Sequence, residues 1–138
     1  MLRSIPVVRG RLSGLHIQNL GWGNEDISDI SALGEHHELL SIIGPLHKDS
    51  MVDIREEREF DSDPQIDGWH TDKMVSHKPR DSRGIRMFLV SDHNPTEFLV
   101  GKHVWRPQPL EVVEYDYTVL HRRPKWAGPR KVVRIMTR

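Results

Sequence analysis

The stretch IRMFLVSDHNPTEFLV, residues 85–100, carries the strongest fold signal in the sequence. Its first six and last five residues are rich in β-branched and large apolar side chains, which favour strands. Between them lies Asp92-His93-Asn94-Pro95, a cluster of residue types that favours a turn. The stretch therefore predicts strands at 85–90 and 96–100, and Gly101 is expected to end the second one.

Further strand-like runs lie on both sides of this pair. Residues 112–120, VVEYDYTVL, form the longest run of β-branched and aromatic side chains. Several short strands separated by turn residues are typical of a sandwich or barrel. The sequence therefore predicts a mainly β domain of jelly-roll type, with further strands at 5–8, 51–55 and 131–137.

One segment before the β-rich part has helical periodicity. Ile27, Ile30 and Leu33 recur near the 3.6-residue period of a helix, and Gly44-Pro45 is a stop signal. We therefore expect an N-terminal helix over residues 26–43. With this helix the outline becomes α+β, with strands dominating.

Length and composition exclude several classes of protein. The chain has 138 residues and no cysteine, which excludes disulfide scaffolds, thiol catalysis and iron–sulfur clusters. A chain of this length fits one domain, and we expect that domain to cover residues 1–138. Because no apolar run approaches the length of a membrane span, we expect a soluble, cytoplasmic protein with no membrane partner.

Charge is divided unevenly along the chain although the formal net charge is zero. Residues 1–72 carry 14 acidic and 6 basic side chains, and residues 73–138 carry 6 acidic and 14 basic ones. Either the two halves pair in the fold, or the basic half creates a local positive field for an anion. The chain also has nine histidines and no cysteine. Its available metal ligands are therefore imidazoles and carboxylates, which suit non-haem iron.

The segment Gly68-Trp69-His70-Thr71-Asp72 contains a candidate metal site. In an extended segment His70 and Asp72 point to the same face, so one metal ion could bind both. A third ligand is needed, and His121 is the best candidate because it ends the expected 112–120 strand. His103 and His77 are weaker alternatives. Two histidines and one carboxylate leave coordination positions open for substrate and oxygen.

Two arginines follow the proposed third ligand. Arg130 and Arg134 both come after His121, at the start of the expected last strand and within it. A planar guanidinium binds a carboxylate through two parallel hydrogen bonds. The order of ligands and arginines therefore suits a metal site with a dicarboxylate beside it.

These motifs resemble the core of iron(II)- and 2-oxoglutarate-dependent oxygenases, and the resemblance covers residues 68–137. It implies a double-stranded β-helix in which His70, Asp72 and His121 bind Fe(II). The Arg-x-x-x-Arg spacing is nearest to the taurine-dioxygenase-type branch of that superfamily. This likeness divides the domain into an N-terminal helix and strands at 1–67 and a metal-binding β-helix core at 68–138.

The same resemblance implies how the co-substrates bind. Arg134 is expected to hold the distal carboxylate of 2-oxoglutarate, with Arg130 as a helper. Thr96, which begins the strand expected after the 92–95 turn, matches a threonine that contacts the 2-oxoglutarate carboxylate. The expected activity is a dioxygenase that uses O2 and hydroxylates an unidentified substrate. No residue beyond the metal ligands is expected to be catalytic.

Two other functions fit the sequence. The chain could be a catalytically inactive jelly-roll module that contacts protein or nucleic acid. Residues 122–126, RRPKW, mix basic and aromatic side chains, as in nucleic-acid contacts, although nucleic acid is not the favoured partner. A cupin-like metal enzyme that does not use 2-oxoglutarate is the third interpretation.

Overall fold

Antiparallel strands make up most of the described structure. The computed structural model describes residues 5–15, 37–46, 50–57, 68–71, 85–124 and 129–137. Strands account for 49% and helix for 8% of these residues, so the mainly β class is confirmed. The elements are β1 (Val7–Arg11), α1 (His37–Ile43), β2 (Met51–Glu57), β3 (Arg86–Ser91), β4 (Glu97–Val100), β5 (His103–Trp105), β6 (Glu111–Tyr115), β7 (His121–Arg122) and β8 (Arg130–Thr137).

The strands form a larger and a smaller sheet. The larger sheet has the order β1-β6-β3-β8-β2, and the smaller has the order β5-β4-β7. Every neighbouring pair is antiparallel. An antiparallel bridge between His70 and His121 extends the smaller sheet beyond β7.

The pairings between strands are nested along the chain. β4 pairs with the next strand, β5, and β3 pairs with β6 around them. His70 bridges to β7 outside that set, and β2 pairs with β8 outside the bridge. β1, which pairs with β6, does not belong to this nested set. Consecutive segments therefore pass repeatedly from one sheet to the other, which brings distant parts of the sequence together.

Both faces of the larger sheet are covered. On β8, Val133 and Ile135 pack into a cluster that includes Leu39 of α1. The alternate residues Val132 and Met136 pack into a second cluster with residues of the smaller sheet, including Phe98. A sheet covered on both faces needs near-continuous apolar runs, which explains sequences such as MFLV in β3.

The helix lies close to the edge strand β1. A Cβ atom built on Gly10 would lie 3.0 Å from Ile42 Cδ1, so this approach leaves little room for a side chain. The helix ends at the expected stop: the Gly44 amide donates to the Leu40 carbonyl at 2.8 Å, and Gly44 has a φ of 85°. Of the expected helix over 26–43, residues 26–36 lie outside the described residues.

The expected single strand over 112–120 is wrong. β6 ends at Tyr115, and a turn follows. The Asp116 carboxylate accepts hydrogen bonds from both the backbone amide and the hydroxyl of Thr118, each at 2.8 Å. This side-chain turn competes with strand pairing, so His121 lies on the separate strand β7 and does not end a long one.

The strands expected at 5–8, 51–55, 85–90, 96–100 and 131–137 are present, with ends shifted by a few residues. Among the described residues, no helix is long and apolar enough to cross a membrane.

Candidate functional site

A cavity of about 60 Å³ lies between the inner faces of the two sheets. That volume has room for a few water-sized groups. Residues from both sheets line it: Asp53, Arg55, His70, Leu89, Thr96, His121, Arg123, Arg130, Val132 and Arg134. Five of the six site residues expected from the sequence are in this set.

The two histidines of the expected metal site are neighbours. Their ring centroids are 4.5 Å apart, and their backbones exchange two hydrogen bonds, of 3.0 and 2.9 Å. His121 is buried, with 4% of its surface exposed. Two residues that are distant in the sequence are therefore held side by side at the cavity.

Backbone carbonyls fix the orientation of both imidazole rings. His70 Nδ1 lies 2.8 Å from the Gly68 carbonyl oxygen, and His121 Nδ1 lies 3.0 Å from that of Val119. A carbonyl oxygen only accepts, so Nδ1 carries the proton in each ring. In the neutral imidazole the lone pair is then on Nε2, as in histidine ligands whose other nitrogen is held by a carbonyl.

Aromatic side chains hold the His121 ring in place. The ring centroid lies 5.2 Å from that of Tyr115 and 5.8 Å from that of Phe98. Phe98 is directly opposite His121 in the pairing of β4 with β7. The packed rings restrict His121 to one orientation, which a metal ligand requires.

Arg130 and Thr96 form a second buried group in the cavity. Arg130 Nη1 donates to Thr96 Oγ1 at 3.0 Å and to the Asn94 carbonyl oxygen at 2.9 Å. Asn94 has a φ of 48°, a left-handed conformation that asparagine tolerates in turns. The turn expected at 92–95 therefore brings the start of β4 against the start of β8.

Arg134 contacts an acidic residue that the sequence analysis did not single out. Asp53 Oδ2 accepts from Nη2 of Arg134 and from Nη2 of Arg55, each at 2.7 Å. Asp53 is 2% exposed and lies opposite Arg134 in the pairing of β2 with β8. The Arg134 guanidinium is therefore engaged by a carboxylate of the protein itself.

The described lining of the cavity is rich in positive charge. It contains four arginines and one aspartate. Arg123 is buried, two residues after His121 on the same side of the chain. Clustered guanidinium groups attract anions and bind carboxylates.

Sequence reasoning missed Asp53, Arg55 and Arg123. Asp53 and Arg55 are the two charged positions of the expected 51–55 strand, and they alternate with the apolar residues Val52 and Ile54. That alternation is a signal that both charges share one face. Nothing local in the sequence indicates that this face lines a cavity.

The remaining metal candidates are Asp72, His77 and His103. Asp72 and His77 lie outside the described residues. His103 is exposed on β5 and does not line the cavity. In the described part of the chain, no three histidine, aspartate or glutamate residues form a cluster that could hold a metal ion.

Comparison with known proteins gives no match: neither a family model, nor a curated protein, nor a solved structure is significantly similar to this chain.

Proposed function

We propose that the protein is an Fe(II)- and 2-oxoglutarate-dependent dioxygenase that hydroxylates a substrate still to be identified. One observation carries the proposal: the histidine pair and the Arg130–Thr96 pair line the same cavity. Their residues come from four separate parts of the sequence. The sequence motifs and the resemblance assign the first pair to a metal and the second pair to a dicarboxylate, and both pairs lie at this one cavity.

The nested strand pairing supports a double-stranded β-helix, or jelly roll, as the underlying fold. Such a fold forms when a long antiparallel hairpin is wrapped so that its two arms pair along their whole length. Here the pairs are β4 with β5, β3 with β6, His70 with β7, and β2 with β8. β3 with β8 and β4 with β7 then join successive turns.

The histidine pair fits a metal ion. His70 and His121 are adjacent, and the backbone carbonyls that receive their Nδ1 protons favour the tautomer with Nε2 as ligand. Asp72, two residues after His70, is the proposed carboxylate ligand. Imidazole and carboxylate donors without thiolate suit Fe(II).

The arginines fit the distal carboxylate of 2-oxoglutarate. The sequence spacing favours Arg134 as the anchor, with Arg130 as helper. The contacts support a larger role for Arg130, because it touches Thr96 and Arg134 is bound by Asp53. We therefore propose that Arg130 and Thr96 bind the carboxylate directly and that Arg134 adds to the positive field around it.

The chain's own residues have the tasks of binding, orientation and shielding. Bound Fe(II) and 2-oxoglutarate supply the oxidising chemistry that uses O2. On one side, the rings of Phe98 and Tyr115 pack against His121 and cover it. None of the proposed site residues is assigned a role as a general acid or base.

Anaerobic addition of Fe(II) and 2-oxoglutarate to the purified protein tests the proposal. We expect a visible metal-to-ligand charge-transfer band, lost in His121→Ala and shifted to higher 2-oxoglutarate concentration in Arg130→Gln. His103→Ala is the matched control, because His103 is exposed on β5. No band in folded wild-type protein would refute the proposal.

The nucleic-acid alternative receives less support from the contacts. Arg123 is buried, and Arg122 is bound by Glu97 and stacked on Trp69. Two basic residues of the RRPKW stretch are thus engaged within the fold.

A further inference from the structure

Trp69, Arg122 and Glu97 form a row of contacts across three segments of the smaller sheet. The Arg122 guanidinium carbon lies 4.1 Å from the centroid of the Trp69 ring. On its other side, Arg122 Nε donates to Glu97 Oε1 at 2.9 Å, and the two residues are directly paired between β4 and β7. We call these three residues the outer row.

The outer row lies next to the proposed metal ligands but on the opposite face. His70 directly follows Trp69, and His121 directly precedes Arg122. Because side chains alternate between faces along extended chain, the histidines face the cavity and the outer row faces away from it. The two groups therefore share backbone but not surroundings.

The backbone connection between the histidines is short. β7 has two residues. The described part of the His70 segment, residues 68–71, pairs with β7 through the bridge between His70 and His121. Its two hydrogen bonds join the same pair of residues. So short a bridge has little cooperativity, and side-chain contacts across it contribute much of its stability.

We propose that the outer row holds the His70 segment against β7 and that Arg122 is a positioning residue for the histidine pair. Metal binding by these histidines rests on the proposed function, whereas the attachment of the segment does not. Arg122 is suited to this task because it contacts the segments on both sides of β7. A cation–π contact and a charged hydrogen bond on one guanidinium fix its orientation.

Amide hydrogen exchange in the metal-free protein tests the attachment directly. The His70 and His121 amides bond to each other's carbonyls, so their exchange reports opening of the bridge. In Arg122→Met, which keeps an apolar stem, we expect exchange at both amides to rise roughly 3- to 10-fold, the factor for loss of one half-buried cation–π contact.

Arg86→Met is the matched control. Arg86 also stacks over a ring, that of Phe88 at 4.9 Å, and also pairs with a carboxylate, that of Glu114. Its loss should leave exchange at the two histidine amides unchanged. Trp69→Phe retains a ring under Arg122 and should retain most of the protection, whereas Trp69→Ala should behave as Arg122→Met does.

Co(II) titration, followed by calorimetry, provides the second measurement. We expect Arg122→Met to weaken Co(II) binding by about the factor seen in exchange, and Arg86→Met to bind like the wild type. Exchange within twofold of wild type in Arg122→Met, or equal acceleration in Arg86→Met, would overturn the inference. If wild-type protein binds no Co(II), the proposed function fails, and the exchange result alone decides the inference.

Discussion

The buried ion pair between Asp53 and Arg134 makes a quantitative prediction for stability. Asp53 is 2% exposed, and the Arg134 side chain is 18% exposed. Removing one partner of a buried pair costs about 3–5 kcal/mol, because the other charge stays desolvated. Arg134 retains some contact with solvent, so we expect Asp53→Ala to cost about 3 kcal/mol, near the lower end of that range.

Urea unfolding followed by circular dichroism measures this cost. A double-mutant cycle with Arg134→Met separates the pair from other effects of each change. We expect a coupling of about 1–2 kcal/mol, less than the full cost, because Arg55 also binds Asp53.

The exposed pair of Arg9 with Glu114 is the matched control for this cycle. The Arg9 side chain is 47% exposed, so Arg9→Met should cost less than about 1 kcal/mol. A cost for Asp53→Ala as small as that of Arg9→Met, or strict additivity in the cycle, would show that the pair does not stabilise the fold as argued.

Other contacts give three further predictions. Thr96→Val removes the hydroxyl that accepts from Arg130, and calorimetry should show 2-oxoglutarate affinity falling about 5- to 10-fold while the fold is kept; unchanged affinity would contradict the assigned role. The hydrogen bond from Arg86 lowers the pKa of Glu114. The ionised Glu114 carboxylate therefore stabilises the fold above its unfolded pKa, and this stabilisation is lost as pH falls through the lower folded pKa. Glu114→Gln should flatten the acidic limb of a plot of unfolding free energy against pH. Gly10→Ala places a methyl group 3.0 Å from the Ile42 side chain and should cost about 1–3 kcal/mol in urea unfolding, an expectation that a wild-type midpoint would contradict.

The strands could be predicted where a run of apolar residues in the sequence corresponds to a strand that is buried on both faces. MFLV in β3 and VVRIM in β8 lie in a sheet with both faces covered, so each run is apolar nearly throughout and its local signal is strong. The stretch at 112–120 has the same composition, but the Asp116 side chain bonds to Thr118 and ends the strand. Strand propensity depends on residue type and does not include this competition from side-chain hydrogen bonds.

The grouping of the candidate-site residues was predictable to the extent that their motifs are local. His70 was selected by its spacing to Asp72, and Arg130 by its distance from His121. Asp53 was missed because its place at the cavity depends on its pairing with Arg134, a residue far away in the sequence. That register is a property of the folded sheet, and no short window of sequence contains it.

The nested pairing also determines how the chain can fold. β4 and β5 meet across a turn, with Val100 opposite His103, whereas Met51 of β2 pairs with Met136 of β8, far along the chain. Closing the longest loop first costs the most entropy, so pairing is expected to spread outward from the β4–β5 turn. Such non-local sheets fold in about milliseconds to seconds. Within the nested set, the β2–β8 pair is therefore expected to form last. These two strands carry most of the cavity's arginines, so a bound anion would stabilise the chain at that step.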